Sequence, residues 1–247
     1  LPADHHMSSP EVFCAGVNAS VRAAASGSLI TFGIKPDRPA TGYGYIKAAL
    51  SDQSPFSIAK FVEKPSLEAA QDYLSSGNYL WNSGIFLFSG ASYRKQLKHY
   101  RPDIAAACTD SWAGKTVDSE FFRPDKASFE SCPSESIDYA VMESTDDGMV
   151  MPIDPGWNDL GSWDALLDLL PKTPQGNVEK GDVISHKSSN NFVYADHKLV
   201  STLGVSNLVI VDTKDALLVA HRDCVDDVKL IVEQLKRDER PETVNHR

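Results

Sequence analysis

Strand-like and helix-like segments alternate along the chain from Leu1 to Leu170, and this order constrains the fold more than any other feature of the sequence. Ser28–Ile34 is a short apolar run of the kind that forms a buried strand. Pro10 opens the helix-like segment before it and Gly27 closes that segment, as these residues do at helix ends. The alternation predicts an α/β fold with a mostly parallel sheet, whose site lies at the carboxyl ends of strands.

The sequence changes in character after Leu170. Pro171–Lys180 is rich in proline, glycine and lysine, which is typical of a linker. Short runs of β-forming residues follow, closely spaced and separated by Asn, Asp and Gly. They predict a small β-solenoid or β-roll, capped by an amphipathic helix over Val225–Leu235. We therefore expect a large domain, a linker, a small β domain and a tail, at residues 1–172, 173–181, 182–237 and 238–247.

Charge and cysteine content exclude several classes of protein. The chain has 24 basic and 34 acidic residues, a net charge of −10, which disfavours nucleic acid as a main partner. Its apolar runs fall short of the ~18 residues that a membrane span needs, so no membrane association is expected. The cysteines form no C-x-x-C pair and have no metal-ligand spacing, which favours a reduced, cytoplasmic protein.

Two aspartates near the ends of the large domain are candidate ligands for a divalent cation. Asp4 follows an apolar strand, although a lone loop aspartate more often caps a helix or contacts water. Asp159 lies in Gly156–Trp163 between two glycines and two tryptophans, where a buried carboxylate is costly unless a cation pairs with it. Capping of the helix at Ser162 is the alternative. Since Mg²⁺ prefers one or two carboxylates with phosphate oxygens and water, Asp4 and Asp159 together could hold one Mg²⁺.

Polar and small residues at strand ends are candidate contacts to a small ligand. A strand ends at Glu63, Lys64 and Pro65. Glu63 could accept hydrogen bonds from sugar hydroxyls and Lys64 could hold a phosphate, with an ordinary surface ion pair as the alternative. Gly44 follows Tyr43, and a glycine lets backbone N–H groups approach a ligand closely, although it serves a simple turn equally well.

Two further polar positions interrupt otherwise apolar segments. Asn82 is followed by Ser83 and Gly84 inside the apolar strand Leu80–Phe88. Buried polar groups cost free energy unless they are paired, so a sugar hydroxyl is one expected partner and a β-bulge is the alternative. Asp138 lies in the first turn of a predicted helix, where it could contact a ligand or only stabilise the helix dipole.

Six motifs that contain these residues occur in one order along the chain. They are LPADH (1–5), TFGIKP with TGYGYI (31–46), FVEKP (61–65), WNSGIFLF (81–88), SIDYAVME (136–143) and GWNDLGSW (156–163). Together they resemble the mannose-1-phosphate guanylyltransferases, specifically the long bacterial type that also contains a mannose-6-phosphate isomerase domain. The segment Leu208–Leu235 is similar to the small left-handed β-helix-like domain that follows in that family.

The resemblance implies a fold and an activity. The fold is an incomplete Rossmann-like (GT-A-like) nucleotidyltransferase domain, followed by a small β-helix or β-roll domain. The activity is nucleotidyl transfer from GTP to mannose 1-phosphate, giving GDP-mannose and pyrophosphate with Mg²⁺. The implied catalytic residues are Lys64, Asp4 and Asp159, with Mg²⁺ bound by the two aspartates and the sugar phosphate by Lys64. The implied substrate contacts are those of Gly44, Glu63 and Asn82 to the sugar, and further contacts by Tyr43 and Asp138.

The chain also departs from the family pattern. Family members have a glycine-rich loop for the triphosphate before the LPADH motif, so we expect an interior fragment with little activity of its own. Ala40 and Ser144 stand where the family often has Glu and Lys. Two alternatives stay open: a non-catalytic module that binds sugar phosphates or assembles with an enzyme, and a pyrophosphorylase for another hexose 1-phosphate. A parallel sheet without its first strands would expose an apolar edge, so homo-oligomers are also expected.

Overall fold

The structure is a computed structural model that describes residues 1–49, 54–161 and 163–243. The chain divides into two compact units, Leu1–Trp157 (unit one) and Asn158–Arg247 (unit two). The division falls before the predicted boundary at residue 172, because Trp163 and Leu167 pack into the core of unit two.

Unit one contains strands, helices and one π-helical turn. Its strands are β1 (His6–Met7), β2 (Leu29–Ile34), β3 (Tyr45–Ala49), β4 (Phe56–Val62), β5 (Tyr79–Leu87), β6 (Thr116–Asp118), β7 (Phe121–Arg123) and β8 (Gly148–Ile153). Its helices are α1 (Pro10–Ala25), α2 (Leu67–Ser76), α3 (Gly90–Tyr100), α4 (Pro102–Ala113) and α5 (Lys126–Glu130), and the π-helical turn is Asp138–Met142. A short strand, β9 (Trp157–Asn158), lies at the division.

A closed five-stranded sheet in the order β2-β5-β3-β4-β8 forms the centre of unit one. β2 and β8 run parallel, whereas β5 pairs antiparallel with β2 and β3, and β4 pairs antiparallel with β3 and β8. The predicted α/β class is confirmed, but the prediction of a mostly parallel sheet is wrong for the described strands of unit one. The segment between Ala49 and Phe56 is shorter than the crossover of about a dozen residues that a parallel pair needs, so β3 and β4 pair antiparallel.

The two faces of this sheet pack into two separate cores. Successive side chains of a strand point to opposite faces, so Ile30 and Phe32 of β2 face one core and Leu29 faces the other. The first core includes Ala24 of α1. The second core includes Leu97 of α3 and the buried residues of the π-helical turn, which anchors that turn to the sheet.

Unit two is a stack of strands between two helices in the sequence. Its elements are α6 (Trp163–Leu169), β10 (Val178–His186), β11 (Phe192–Leu203), β12 (Leu208–Asp212), β13 (Leu217–His221) and α7 (Val228–Arg237), with 3-10 turns at Arg222–Asp227 and Pro241–Thr243. β10, β11 and β12 pair parallel and β13 pairs antiparallel with β12. Val225 of the 3-10 turn packs into this core, whereas none of the residues described in α7 is buried.

Two buried asparagines connect successive coils of unit two. The Asn177 Oδ1 atom accepts the backbone and side-chain N–H groups of Asn191, at 3.0 and 3.2 Å. Asn191 in turn donates to Val205 O and accepts from the Leu208 N–H. Because these partners satisfy buried backbone groups that the strand ladders leave open, the two side chains are part of the scaffold.

Some of the sequence predictions concern residues that the structure does not describe. Ser162, the predicted cap of α6, lies outside the described ranges. So does the end of the predicted tail, residues 244–247. In the described ranges, no helix combines the length and the apolar character that crossing a bilayer requires.

Candidate functional site

Three of the predicted site residues lie side by side on adjacent strands. Tyr45 of β3 pairs with Val62 of β4 and with Trp81 of β5, so the next position along each strand brings Gly44, Glu63 and Asn82 together. The Asn82 N–H donates to the Gly44 carbonyl oxygen at 2.7 Å. The structure thus brings together residues that are 38 positions apart in the sequence (82 − 44 = 38).

Gly44 leaves the space that its two neighbours use. A Cβ atom at this position would clash with the Glu63 Oε2 atom and would lie 3.2 Å from the Asn82 Cβ. The backbone of Gly44 is not in the left-handed region, so the need for glycine here comes from packing. The absence of a side chain at Gly44 therefore leaves room for the Glu63 carboxyl next to Asn82.

The Asn82 amide has one fixed orientation. Its Oδ1 accepts the backbone N–H of Gly84 at 3.2 Å and the Thr31 hydroxyl at 2.8 Å. Because a backbone N–H can only donate, the atom that faces Gly84 must be the oxygen. The Nδ2 atom accordingly donates to the Asp138 Oδ1 at 2.8 Å. This contact brings Asp138, at the start of the π-helical turn, next to the other predicted residues.

Glu63 is half-buried and carries an unusual proton affinity. Its Oε2 atom is buried and has no hydrogen-bond partner among the described residues. Its backbone N–H donates to the Glu143 Oε1 at 3.1 Å. The pKa of the Glu63 carboxyl is raised to about 7, first by burial and then by the negative charge of Asp138, while Lys64 lowers it and Glu143 raises it. A carboxyl of this kind exchanges its proton near neutral pH, which is common at functional sites.

Lys64 has a backbone conformation that lysine rarely adopts. Its φ is +47°, in the left-handed region, and it precedes Pro65, which further disfavours helical backbone angles. Its side chain is exposed and Pro65 is buried. Strained backbone of this kind persists where the surroundings hold it in place and clusters at ligand sites. The charge of Lys64 acts on the Glu63 carboxyl and lowers its pKa, so the turn places a cation beside Glu63.

Tyr43 lies among aromatic residues on the other face of the sheet. Its ring centroid is 5.0 Å from that of Trp81 and 5.4 Å from that of Trp157, both edge-on. Trp81 alternates with Asn82 along β5, so the structure does not bring Tyr43 to the Asn82 side. Arg38 stacks on this aromatic group, with its guanidinium carbon 5.2 Å from the Trp81 centroid. The ring contacts of Tyr43 with the two tryptophans are packing contacts, and its predicted substrate contact stays a prediction.

The two predicted metal ligands belong to different compact units. Asp4 is exposed in unit one. Asp159 is half-buried in unit two, where its Oδ1 accepts the Gly161 N–H at 3.1 Å across Leu160, which has a φ of +53°. This turn contact accords with a local structural role, and the Mg²⁺ role stays a prediction. In the described part of the chain, no three His, Cys, Asp or Glu side chains are grouped to hold a metal.

Sequence reasoning missed two members of this site. Thr31 orients the Asn82 amide from β2, and Glu143 holds the Glu63 N–H from the residue after the π-helical turn. A weak signal for Glu143 exists, because it ends the same motif that contains Asp138. We use the name carboxylate–amide cluster for Gly44, Glu63, Asn82, Asp138 and Glu143.

Comparison with known families assigns the chain to a class of enzymes. Residues 1–176 match the family model described as nucleotidyl transferase, and the chain belongs to that family. Residues 181–235 match a second model, described as a MannoseP isomerase/GMP-like beta-helix domain, which confirms the predicted β-helix-like domain.

Individual relatives narrow the resemblance to mannose-1-phosphate guanylyltransferases, as the sequence motifs predicted. The chain is 51% identical to mannose-1-phosphate guanylyltransferase ManC of Salmonella typhimurium LT2, over 100% of this chain and 52% of the relative. It is 50% identical to mannose-1-phosphate guanylyltransferase of Escherichia coli K12, over 100% and 53%. It is 48% identical to xanthan biosynthesis protein XanB of Xanthomonas campestris pv. campestris (ATCC 33913), over 100% and 52%. The chain spans about half the length of the curated relatives it matches.

A solved structure shares this fold. It is described as mannose-1-phosphate geranyltransferase from Thermus thermophilus. The TM-score is 0.83 at 31% identity, over 96% of this chain and 68% of that one. The likeness therefore extends through both compact units.

Proposed function

We propose that this chain contains the sugar-phosphate site of an enzyme that joins GTP and mannose 1-phosphate into GDP-mannose and pyrophosphate. The observation that supports the proposal most is the carboxylate–amide cluster beside β3, β4 and β5, with Lys64 directly after Glu63. The names of the relatives supply the sugar phosphate, and xanthan synthesis by one of them supports a place in polysaccharide biosynthesis. Cytoplasmic location and homo-oligomers stay predictions.

The hydrogen-bonding capacity of the cluster suits a sugar hydroxyl. The Asn82 amide has two hydrogens, and Asp138 takes one, while the other has no partner in the described part of the chain. The buried Glu63 Oε2 is an open acceptor. A hydroxyl group can accept from Asn82 and donate to Glu63 at the same time. Binding of such a group would satisfy two polar atoms that burial otherwise penalises.

Lys64 is the residue that we assign to the phosphate of the same ligand. It is exposed, and a lysine ammonium holds phosphate as a mobile point charge. Since Lys64 directly follows Glu63, one turn would fix both the hydroxyl contact and the phosphate contact. Positioning of this kind lowers the barrier for a phosphate oxygen of the sugar to attack the α-phosphorus of GTP, with pyrophosphate as the leaving group. The attacking phosphate is already ionised, so no side chain has to act as a general base.

The proposal also includes a divalent cation. The carboxylates of Asp4 and Asp159 are oxygen ligands of the kind that Mg²⁺ prefers, and they stay the predicted pair. When bound, Mg²⁺ would neutralise the charge that develops on the phosphoryl oxygens.

Calorimetric titration of the chain with mannose 1-phosphate tests the site. Lys64→Met should weaken binding about tenfold or more, because a hydrogen bond to a charged group contributes about 1.5–3 kcal/mol. Gly44→Ala should weaken it about tenfold, since the new Cβ displaces the Glu63 carboxyl. Lys60→Met, at an exposed lysine of β4, is the matched control.

The outcomes separate the proposed enzyme from its alternatives. Equal affinities for the wild-type chain and both site variants would contradict the proposal. Tight binding of glucose 1-phosphate in place of mannose 1-phosphate would favour a pyrophosphorylase for another hexose. Formation of GDP-mannose from GTP in the presence of Mg²⁺ would exclude a non-catalytic sugar-phosphate module.

A further inference from the structure

The π-helical turn presents two carboxylates to the proposed site from one rigid segment. Ala140, Val141 and Met142 of this turn are 0–4% exposed and pack into the second core of unit one. Asp138 and Glu143 bracket these buried residues, and the Glu143 N–H donates to the Asp138 carbonyl oxygen at 2.9 Å. A bond of this span is the signature of a π-helix, in which residues five apart lie one above the other. In an α-helix the same two residues would point about 140° apart.

Because they share a face, the two carboxylates contact β4 and β5, the two strands on either side of β3. Asp138 holds the Asn82 side chain of β5, and Glu143 holds the backbone N–H of Glu63 at the end of β4. The Glu143 contact is made directly before the strained Lys64, where the chain needs support against relaxing to ordinary backbone angles.

We propose that Glu143 is a positioning residue of the sugar-phosphate site, which fixes the Glu63–Lys64 turn by accepting the Glu63 N–H with its carboxylate oxygen. This inference rests on the proposed function for its ligand. A second carboxylate beside Glu63 is repulsive whenever both are ionised, and Glu143 indeed contributes to raising the pKa of Glu63. The benefit of Glu143 must then come from its oxygen as an acceptor, and a glutamine has an equivalent oxygen.

Two variants separate the acceptor from the charge. Glu143→Ala removes both, whereas Glu143→Gln removes only the charge. Glu143 is exposed, so neither change opens a cavity. Glu120→Ala, at an exposed glutamate between β6 and β7, is the matched control.

The first measurement needs no ligand. In NMR-detected hydrogen exchange, the Glu63 amide of Glu143→Ala should lose about tenfold in protection, while Glu143→Gln and Glu120→Ala stay close to wild type. Unchanged protection in Glu143→Ala, or equal loss in Glu143→Gln, would overturn the inference.

The second measurement is the affinity for mannose 1-phosphate. Glu143→Ala should bind about fivefold more weakly and Glu143→Gln should retain wild-type affinity, since one hydrogen bond to an exposed charged acceptor is lost and then restored. Wild-type affinity in Glu143→Ala would overturn the positioning role and leave the proposed function intact. If the wild-type chain does not bind mannose 1-phosphate, the proposed function fails, and the exchange measurement still decides whether Glu143 fixes the turn.

Discussion

Both compact units bury asparagine side chains, but the two units use them differently. In unit two, Asn191 is fully buried, both of its amide hydrogens have acceptors, and its oxygen accepts a backbone N–H. In unit one, Asn82 is 8% exposed and gives one amide hydrogen to Asp138, with no acceptor for the other in the described ranges. A buried amide with spare capacity is a candidate contact for a ligand, whereas a fully used amide is a part of the scaffold.

The partners of the two asparagines explain the difference. Asn191 bonds to Val205 O and Leu208 N, which are backbone groups of the stacked coils. Asn82 bonds to one backbone group, the Gly84 N–H, and otherwise to side chains. These are Asp138 and the Thr31 hydroxyl, which also reaches the Ile85 carbonyl oxygen at 3.2 Å. Side-chain partners can rotate or contact water when the amide is removed, and backbone partners cannot.

Alanine substitution at both positions is the strongest test of this comparison. Asn191→Ala should lower the free energy of unfolding of unit two by about 3–5 kcal/mol, because it leaves two backbone groups, Val205 O and the Leu208 N–H, without their partner. Asn82→Ala should cost unit one only about 1 kcal/mol but should abolish measurable mannose 1-phosphate binding. Native-state hydrogen exchange with peptide-level resolution reports each unit separately. Equal losses of stability in the two variants would contradict the division into scaffold and ligand-contact amides.

Two glycines give a second, smaller contrast. A Cβ at Gly44 in unit one would meet the Glu63 side chain, whereas a Cβ at Gly181 in unit two would clash with the Ala195 backbone oxygen. Gly181 also has a φ of +93°, in the left-handed region. Gly181→Ala should therefore destabilise unit two by about 3 kcal/mol. Gly204→Ala is the control, since Gly204 has a φ of +67° with open space around its Cβ, and should cost about 1 kcal/mol. The melting temperature of Gly181→Ala should be lower than that of Gly204→Ala. The reverse order would show that the left-handed backbone angle, which both glycines share, costs more than the clash at Gly181.

The sequence predicts the residues that would contact the ligand better than the residues that support them. Polar residues inside apolar strands, such as Asn82, stand out against the hydrophobic pattern, and Glu63 is marked by the proline that ends its strand. The Glu63 contact to Glu143 joins residues 80 positions apart and depends on a π-helical turn, which has no periodic signal of its own. A contact between residues so far apart in the sequence cannot be predicted from local sequence patterns.

The predicted parallel sheet shows where local patterns mislead. The alternation of strands and helices is correct for β4, α2 and β5, since β4 and β5 run in the same direction. β3 lies between these two strands and runs against both. β4 and β5 follow each other in the sequence but are not paired in the sheet. The strand–helix–strand pattern is therefore correct, whereas the parallel pairing inferred from it is wrong.

The proton affinity of Glu63 gives the smallest and most selective test, because it depends on the charges that surround the cluster in unit one. Asp138→Asn should lower the pKa of Glu63 and Glu143→Gln should lower it less, whereas Lys64→Met should raise it, in line with the order of their charge effects. A raised pKa stabilises the folded protonated form, so the contribution of Glu63 to stability is complete below its usual pKa of 4.5 and is lost as the pH rises through about 7. Carbon-13 NMR titration of the Glu63 carboxyl measures each value, with Asp146→Asn at an exposed aspartate as the control. A Glu63 pKa near 4.5 in the wild-type chain, or no change in Asp138→Asn, would remove the electrostatic distinction between this cluster and the scaffold amides.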